Sequence, residues 1–309
     1  VGAVLFVVGP TASGKTALAI TLALALNGEI INCDSRQFYR GMDIGTAKPS
    51  VAELAAVPHH LIDIADPSEV CGLAWFLDRT HLAIGEIRAR ARLPIIAGGT
   101  GQFARAMLEA WEVPRVPPDA VLRAALNRRA ETEGVDALVA ELERLDPERA
   151  AQIDRRNVRR VTRALEVALL RPHVTEPEPP RALIDHRLVL GIEIERAELY
   201  ARIDRRVEAI FAAGFVAEVQ ALNAAGWDCR LAAFSAIGYR EVCGYLRGEL
   251  TLDEAREKTR TSTHRLARTQ AAWFRRSDPR ITWLPFGPEL AERALEVTRA
   301  FLNASAAQE

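Results

Sequence analysis

The chain has 309 residues, 49% of them hydrophobic, with 40 basic against 41 acidic side chains and a net charge of −1. That size and apolar content supply a core for one large or two modest domains and exclude an intrinsically disordered chain. No apolar run reaches the roughly 18 residues of a membrane helix and no charged leader precedes the first apolar segment, so a cytoplasmic chain without a membrane partner, working as a monomer, is expected, with Val1 read as a trimmed start. Residues 4–8 read as a buried parallel strand and 17–26 as an apolar helix, with VVGPTASGKT joining them. Strand-like runs recur at 29–33, 61–64 and 94–97, each separated by a loop or a helical stretch, which is the pattern of a parallel α/β sheet. Between the proline-rich breaks VPRVPP (113–118) and PHVTEPEPP (172–180) lies an Ala/Leu/Arg/Glu stretch of helical periodicity without strand signal. It reads as an all-helical insertion over 113–183, with 1–112 and 184–309 forming the α/β core. Strand character returns at 188–194, amphipathic helices are expected over 198–224 and 252–276, and 281–284 closes the series as a last strand.

The spacing of Gly9, Gly14, Lys15 and Thr16 fits the phosphate-cradling loop G-x-x-x-x-G-K-[ST]. Backbone N–H groups surround phosphate oxygens, the lysine reaches the outer phosphate, and the hydroxyl meets Mg²⁺. Lys15 is one of three lysines, with Lys48 and Lys258, in a chain that otherwise uses arginine. A compact ammonium fits inside a nest of amides where a planar guanidinium does not.

Asp34 falls at the carboxyl edge of the second strand, where open α/β sheets keep their ligands. Three roles are open to it: holding Mg²⁺ through water, acting as a general base, or capping the turn through Ser35. In PIIAGGTGQF, Gly98, Gly99 and Gly101 permit close backbone approach and Thr100 offers a hydroxyl. His59 and His60, adjacent on a strand, point to opposite faces, which favours packing or loop anchoring over a two-ligand metal site. Cys33, Cys71, Cys229 and Cys243 form no C-x-x-C pair, so reduced thiols are expected, with neither a disulfide framework nor a zinc site. Two basic clusters, Arg155 to Arg163 and Arg256 to Arg276 with Trp273 and Phe274 among them, suit either solvated helix faces or a polyanion larger than a nucleotide.

These motifs, taken in order as GPTASGKT, DSRQFYRGMDIGTAKP, HHLID, PIIAGGTG, RRVTRALEV, AIGYRE and RTQAAWFRR, resemble the tRNA dimethylallyltransferase (tRNA isopentenyltransferase) family over nearly the whole chain. The resemblance implies a P-loop NTPase-like parallel sheet core with an all-helical insertion that grips the anticodon stem of tRNA. It implies transfer of a dimethylallyl group from dimethylallyl diphosphate to N6 of adenosine 37, in tRNAs reading codons that begin with U. The phosphate loop, Gly9, Thr11, Ala12, Ser13, Gly14, Lys15 and Thr16, would then grip a leaving diphosphate, with Mg²⁺ on Thr16. Asp34 becomes the base, Thr100 lies beside the reacting amine, and Arg240 of GYRE is placed on the phosphates. Ser35, Arg36 and Gln37 match the stretch facing the flipped-out base; Arg159, Arg160, Val161, Thr162 and Arg163, together with Gln270, match RNA-contacting positions. The chain departs from the family pattern at Arg36, Gln102, Phe103, Arg156, Asn157, Arg268 and Thr269, which touches details of RNA contact only. A nucleotide or small-molecule kinase shares the loop and fold, and a non-catalytic RNA-binding protein built on the same fold is a further alternative.

Overall fold

The first apolar run forms β1 (Ala3–Val8) and passes through the glycine loop into α1 (Lys15–Ala25) in the computed structural model, which describes residues 2–173, 184 and 186–306. Then come β2 (Gly28–Asn32), α2 (Val51–Ala56), β3 (His59–His60), α3 (Leu73–Ala89), β4 (Leu93–Ala97) and α4 (Gly101–Leu108). A purely helical run follows: α5 (Ala120–Thr132), α6 (Val135–Leu145), α7 (Pro147–Gln152) and α8 (Val158–Leu170). The last part holds β5 (His186–Glu193), α9 (Arg196–Ala212), α10 (Phe215–Ala224), α11 (Tyr239–Leu246), α12 (Leu252–Trp273), β6 (Ile281–Pro285) and α13 (Leu290–Ala306).

The strands form one sheet in the order β3-β2-β4-β1-β5-β6, every pair parallel. All six residues of β1 are buried, as a parallel strand covered on both faces requires. α1 and α13 pack on each other, and Leu18, Leu22, Ile95, Leu190, Leu284 and Ala294 share one apolar cluster. α3 packs on β2 and β4, with Phe38, Phe76 and Phe103 stacked on one another. Each such large side chain contributes about 1.5–3 kcal/mol on burial.

Two compact units result, Val1–Trp111 with Pro180–Glu309, and Glu112–Pro179. The second unit has only helices among its described residues and its own core of Leu126, Leu138, Leu142, Val161 and Leu165. Most of the second proline-rich break, 172–180, lies outside the described residues. No single helix among the described residues is long and apolar enough to cross a membrane.

Three expectations are corrected. Residues 61–64 are a turn, with Leu61 and Asp63 at φ 61° and 54°. Their backbone serves the loop beside them: Asn32 Nδ2 donates to Leu61 O, and the Ile64 N–H donates to Phe38 O. Strand pairing happens instead at His59 and His60. The helix expected over 198–224 breaks at Gly214, φ 99°, into α9 and α10 bent by 52°. Finally, Cys229 and Cys243 form a disulfide with Cα atoms 6.2 Å apart, while Cys33 and Cys71 stay free. Their spacing of 14 residues carries no local signal, because only the return of the chain through a short 3₁₀ turn at Ala232–Ser235 brings them within bridging distance.

Candidate active site

Three strand ends converge on one side of the sheet. After β1, α1 opens at Gly14 with no side-chain cap and no acid in its first turn, so its free N–H groups and positive dipole end are available to an anion. The loop is pinned from outside. The Thr11 N–H donates to Gln270 Oε1 at 2.7 Å, and Arg202 Nε donates to Ala12 O at 2.7 Å. Lys15 Nζ donates to Pro10 O at 2.6 Å. Ser13 Oγ is buried and has no hydrogen-bond partner among the described residues.

After β2, Asp34 is fixed on both sides. Its N–H donates to Asn32 Oδ1 at 3.0 Å, and its Oδ1 accepts the Arg36 N–H at 3.0 Å. The acid thus caps the turn through the Arg36 N–H and not, as expected, through Ser35, and this bond occupies one carboxylate oxygen. After β4, Gly98 lies so close to β2 that a Cβ there would sit 2.2 Å from the Cys33 carbonyl carbon, so no other residue fits. The same closeness lets the Thr100 N–H donate to Cys33 O, and it brings Thr100 Oγ1 within 3.0 Å of the Ser35 N–H that it accepts. Thr100 is thereby tied to Ser35, the residue next to Asp34.

A cavity of about 560 Å³ opens among these strand ends, lined by the phosphate loop, Asp34, Gln37, Gly98 and Gly99. Lys15, Arg202, Arg205 and Arg206 line it against the two carboxylates of Asp34 and Glu53, an excess of positive charge suited to a polyanion. Desolvation pushes the Lys15 ammonium down to about 8, with Asp34 opposing and Arg206 adding to the shift. Burial likewise lowers the Arg206 guanidinium against the pull of Asp34. Both cations are short of charge compensation, which a bound diphosphate would supply.

The other expected residues fall in three groups. Gln37 and Gln270 line the cavity, and their amides also bind protein. Gln37 Nε2 donates to Thr46 O and Ala47 O, while Gln270 bridges Thr11 N and Gly99 O, so its place is that of a brace between two loops. Arg36 reaches Ala232 O at 3.4 Å. Arg240 corrects an expectation: it is exposed at the start of α11 and lines a different cavity, with Cys229, Arg230 and Arg247. The positive φ of Gly238 starts α11 with Gly238 and Tyr239 buried, which leaves Arg240 on the exposed side.

In the second unit, Arg159 and Arg160 are exposed on α8, whereas Val161 and Thr162 are buried in its core. Arg163 is committed internally, donating to Glu166 Oε2 and Val116 O at 2.7 Å each. Glu166, fully buried, also accepts from Arg123 and the Asp119 N–H; burial alone would raise its carboxyl, but these donors hold it below the ordinary range. Of the stretch expected to meet RNA, Val161 and Thr162 are thus enclosed and Arg163 is tied up within the unit, which leaves Arg159 and Arg160 as its exposed members. His60 Nε2 donates to Glu29 Oε2, 2.6 Å away, and His59 Nδ1 donates to Val57 O, which is the anchoring role expected of the pair.

Sequence reasoning missed Arg202, Arg206 and Glu218. The first two carried a readable signal, since arginines at i and i+4 share a helix face. Glu218 carried none: its carboxylate accepts the N–H groups of Asp43, Ile44 and Gly45 and the Tyr239 hydroxyl, all remote in sequence. With Lys48, which pairs with Asp43 and Asp63 and donates to Tyr39 O, it folds the GMDIGTAKP segment against the site.

A parallel α/β sheet with a phosphate loop, a carboxylate and a hydroxyl at adjoining strand ends defines a P-loop-like group-transfer enzyme. Profile comparison agrees: the family described as IPP transferase matches residues 37–277, and that described as isopentenyl transferase matches 2–64. The chain belongs to the IPP transferase family. It is 48% identical over 301 residues to a tRNA dimethylallyltransferase of Roseiflexus sp. (strain RS-1), covering 96% of this chain and 98% of that one. A second tRNA dimethylallyltransferase, from Thermomicrobium roseum, is 50% identical over 274 residues, covering 88% of this chain and 83% of that one. The crystal structure of a full-length tRNA isopentenylpyrophosphate transferase from Bacillus halodurans superposes with a TM-score of 0.73 at 36% identity, covering 100% of this chain and 99% of that one.

Proposed function

We propose that this chain transfers the dimethylallyl group of dimethylallyl diphosphate to N6 of adenosine 37 in tRNA. The observation that supports it best is one cavity lined by both the carboxylate of Asp34 and the cations Lys15 and Arg206, a proton acceptor beside an anion grip. An exocyclic adenine amine is a weak nucleophile because its lone pair is delocalised into the ring. As its nitrogen attacks the allylic carbon, the carbon–oxygen bond to diphosphate breaks, and Asp34 takes the N6 proton through the oxygen not committed to Arg36. Lys15, Arg206 and the N–H groups opening α1 stabilise the charge gathering on the diphosphate. Thr100, fixed by Ser35, orients the amine, and the base reaches it flipped out of the anticodon loop.

The donor set fits a Mg²⁺ ion that keeps substrate oxygens and water. Thr16 lines the cavity at the first turn of α1, and the described residues contain no cluster of three or more His, Cys, Asp or Glu side chains that would form a protein-only cage. Bound there through the Thr16 hydroxyl, the ion would neutralise part of the diphosphate charge. Arg159 and Arg160, exposed on the helical unit, are the side chains suited to the phosphates of the anticodon stem. A cytoplasmic monomer is the working form under this reading.

Incubation with an anticodon stem-loop RNA, Mg²⁺ and dimethylallyl diphosphate tests the proposal. The RNA should gain the mass of one dimethylallyl group, and ATP should not be consumed. Rapid ATP turnover with no mass gain on the RNA would overturn it in favour of a kinase.

A further inference from the structure

The Cys229–Cys243 disulfide closes a ring of chain that touches the active-site loop at two points. Within the ring, Ala232 O accepts from Arg36, next to Ser35 and Asp34. Also within it, the Tyr239 hydroxyl donates at 2.6 Å to Glu218, the carboxylate that gathers the amides of Asp43, Ile44 and Gly45. Cys243 is buried, but Cys229 is half-buried, and both line a separate cavity of about 800 Å³ with Trp227, Arg230, Arg240 and Arg247. Arg230 is paired with Asp228 and Arg247 with Glu249. Arg240, by contrast, makes no ion pair among the described residues, so its charge is available to a thiolate formed in this cavity.

We infer that the cavity is a thiol–disulfide exchange site, that its co-reactant is an external dithiol, and that its redox state sets the order of the 36–46 loop. A thiolate of the dithiol attacks Cys229 Sγ, the accessible sulfur; the Cys229–Cys243 bond breaks and Cys243 leaves as a thiolate beside Arg240 and takes a proton. The second thiolate of the reductant then attacks its own partner sulfur in the mixed disulfide, and Cys229 leaves as a thiolate and is protonated in turn. The protein gains two electrons and two protons, and the dithiol becomes a cyclic disulfide. Opening the ring frees the segment carrying Ala232 and Tyr239, so Arg36 and Glu218 lose the support of a closed loop. This regulation rests on the prenyl-transfer reading only in its consequence for RNA, since the loop change itself is measured without substrate.

The test uses the full chain treated with hydrogen peroxide or with dithiothreitol, then alkylated after denaturation and weighed. Two cysteines, Cys33 and Cys71, should be labelled in the oxidised form and all four in the reduced form. Native hydrogen exchange of 36–46 should be faster in the reduced form by on the order of tenfold, within what loss of a crosslink of this span allows. The Cys229→Ser/Cys243→Ser chain should match the reduced form and ignore dithiothreitol. Binding of stem-loop RNA should weaken in parallel, with inorganic diphosphate binding unchanged. Failure of dithiothreitol to expose two further thiols, or identical exchange of 36–46 in both forms, would overturn the inference. Changed exchange together with no RNA mass gain in either form would instead count against prenyl transfer.

Discussion

Gln270 and Thr11 lie 259 residues apart in the chain, yet the Thr11 N–H donates to Gln270 Oε1 at 2.7 Å, and the same side chain's Nε2 donates to Gly99 O at 2.9 Å. One amide on α12 thus sets the separation of the phosphate loop from the β4–α4 turn. Gln270→Ala should leave a donor and an acceptor unpaired at the cavity wall, a cost of about 1–3 kcal/mol. Calorimetry should show weaker diphosphate binding with RNA affinity retained. Loss of RNA affinity alone would return Gln270 to the RNA contacts.

Arg206 and Arg240 make opposite predictions. Arg206→Ala should raise the KM for the prenyl donor by roughly 10- to 100-fold, the loss of a charge-assisted contact worth about 1.5–3 kcal/mol. Arg240→Ala should leave that KM near the parent value, because Arg240 lines the other cavity. Steady-state kinetics on both variants decide which arginine meets the diphosphate.

Asp34→Asn keeps the turn hydrogen bond to Arg36 but removes the proton acceptor. Single-turnover rates should fall by roughly 10²–10⁴-fold at saturating substrates and stay low across a Mg²⁺ titration. Recovery by Mg²⁺ alone would assign Asp34 to the metal instead.

Arg159→Ala/Arg160→Ala should weaken tRNA binding and reduce the logarithmic salt slope by about 0.7 to 0.9 per lost phosphate contact. Arg163→Ala should act on folding, since it strips a donor from buried Glu166 at a cost on the order of 2 kcal/mol. Denaturant melts of the two variants separate RNA contact from core support.

The Lys15 ammonium titrates at about 8 against an ordinary 10.5. Its lowered value means that it destabilises the fold fully below pH 8, a cost relieved as pH rises from 8 towards 10.5, where the unfolded chain binds the extra proton. A diphosphate raises it again, so binding at pH 8 to 9 should take up a proton and affinity should fall as pH climbs above 8. Titrations in buffers of differing ionisation enthalpy measure that uptake; its absence would show that the lysine is already fully charged.

Much of the sheet was legible because parallel strands buried on both faces must be continuous apolar runs, and a phosphate loop needs its glycines, lysine and hydroxyl at fixed spacing. Residues 61–64 misled for the same reason in reverse. LIDI has a strand's apolar pattern, but its backbone polar groups are taken by Asn32, Gln37 and Phe38 from another segment, and that competition has no local trace. The same applies to the site. Lys15, Asp34 and Thr100 announced themselves at strand ends, whereas the choice between Arg206 and Arg240, the brace of Gln270 and the pairing of Cys229 with Cys243 depend on how distant helices pack. The sequence by itself determined the chemistry available, because residue type and short spacing fix which groups a loop can present. Only the tertiary structure decided which of those groups meet: a hydrogen bond or a disulfide requires approach within a few ångströms, and that approach is set by the packing of the whole core.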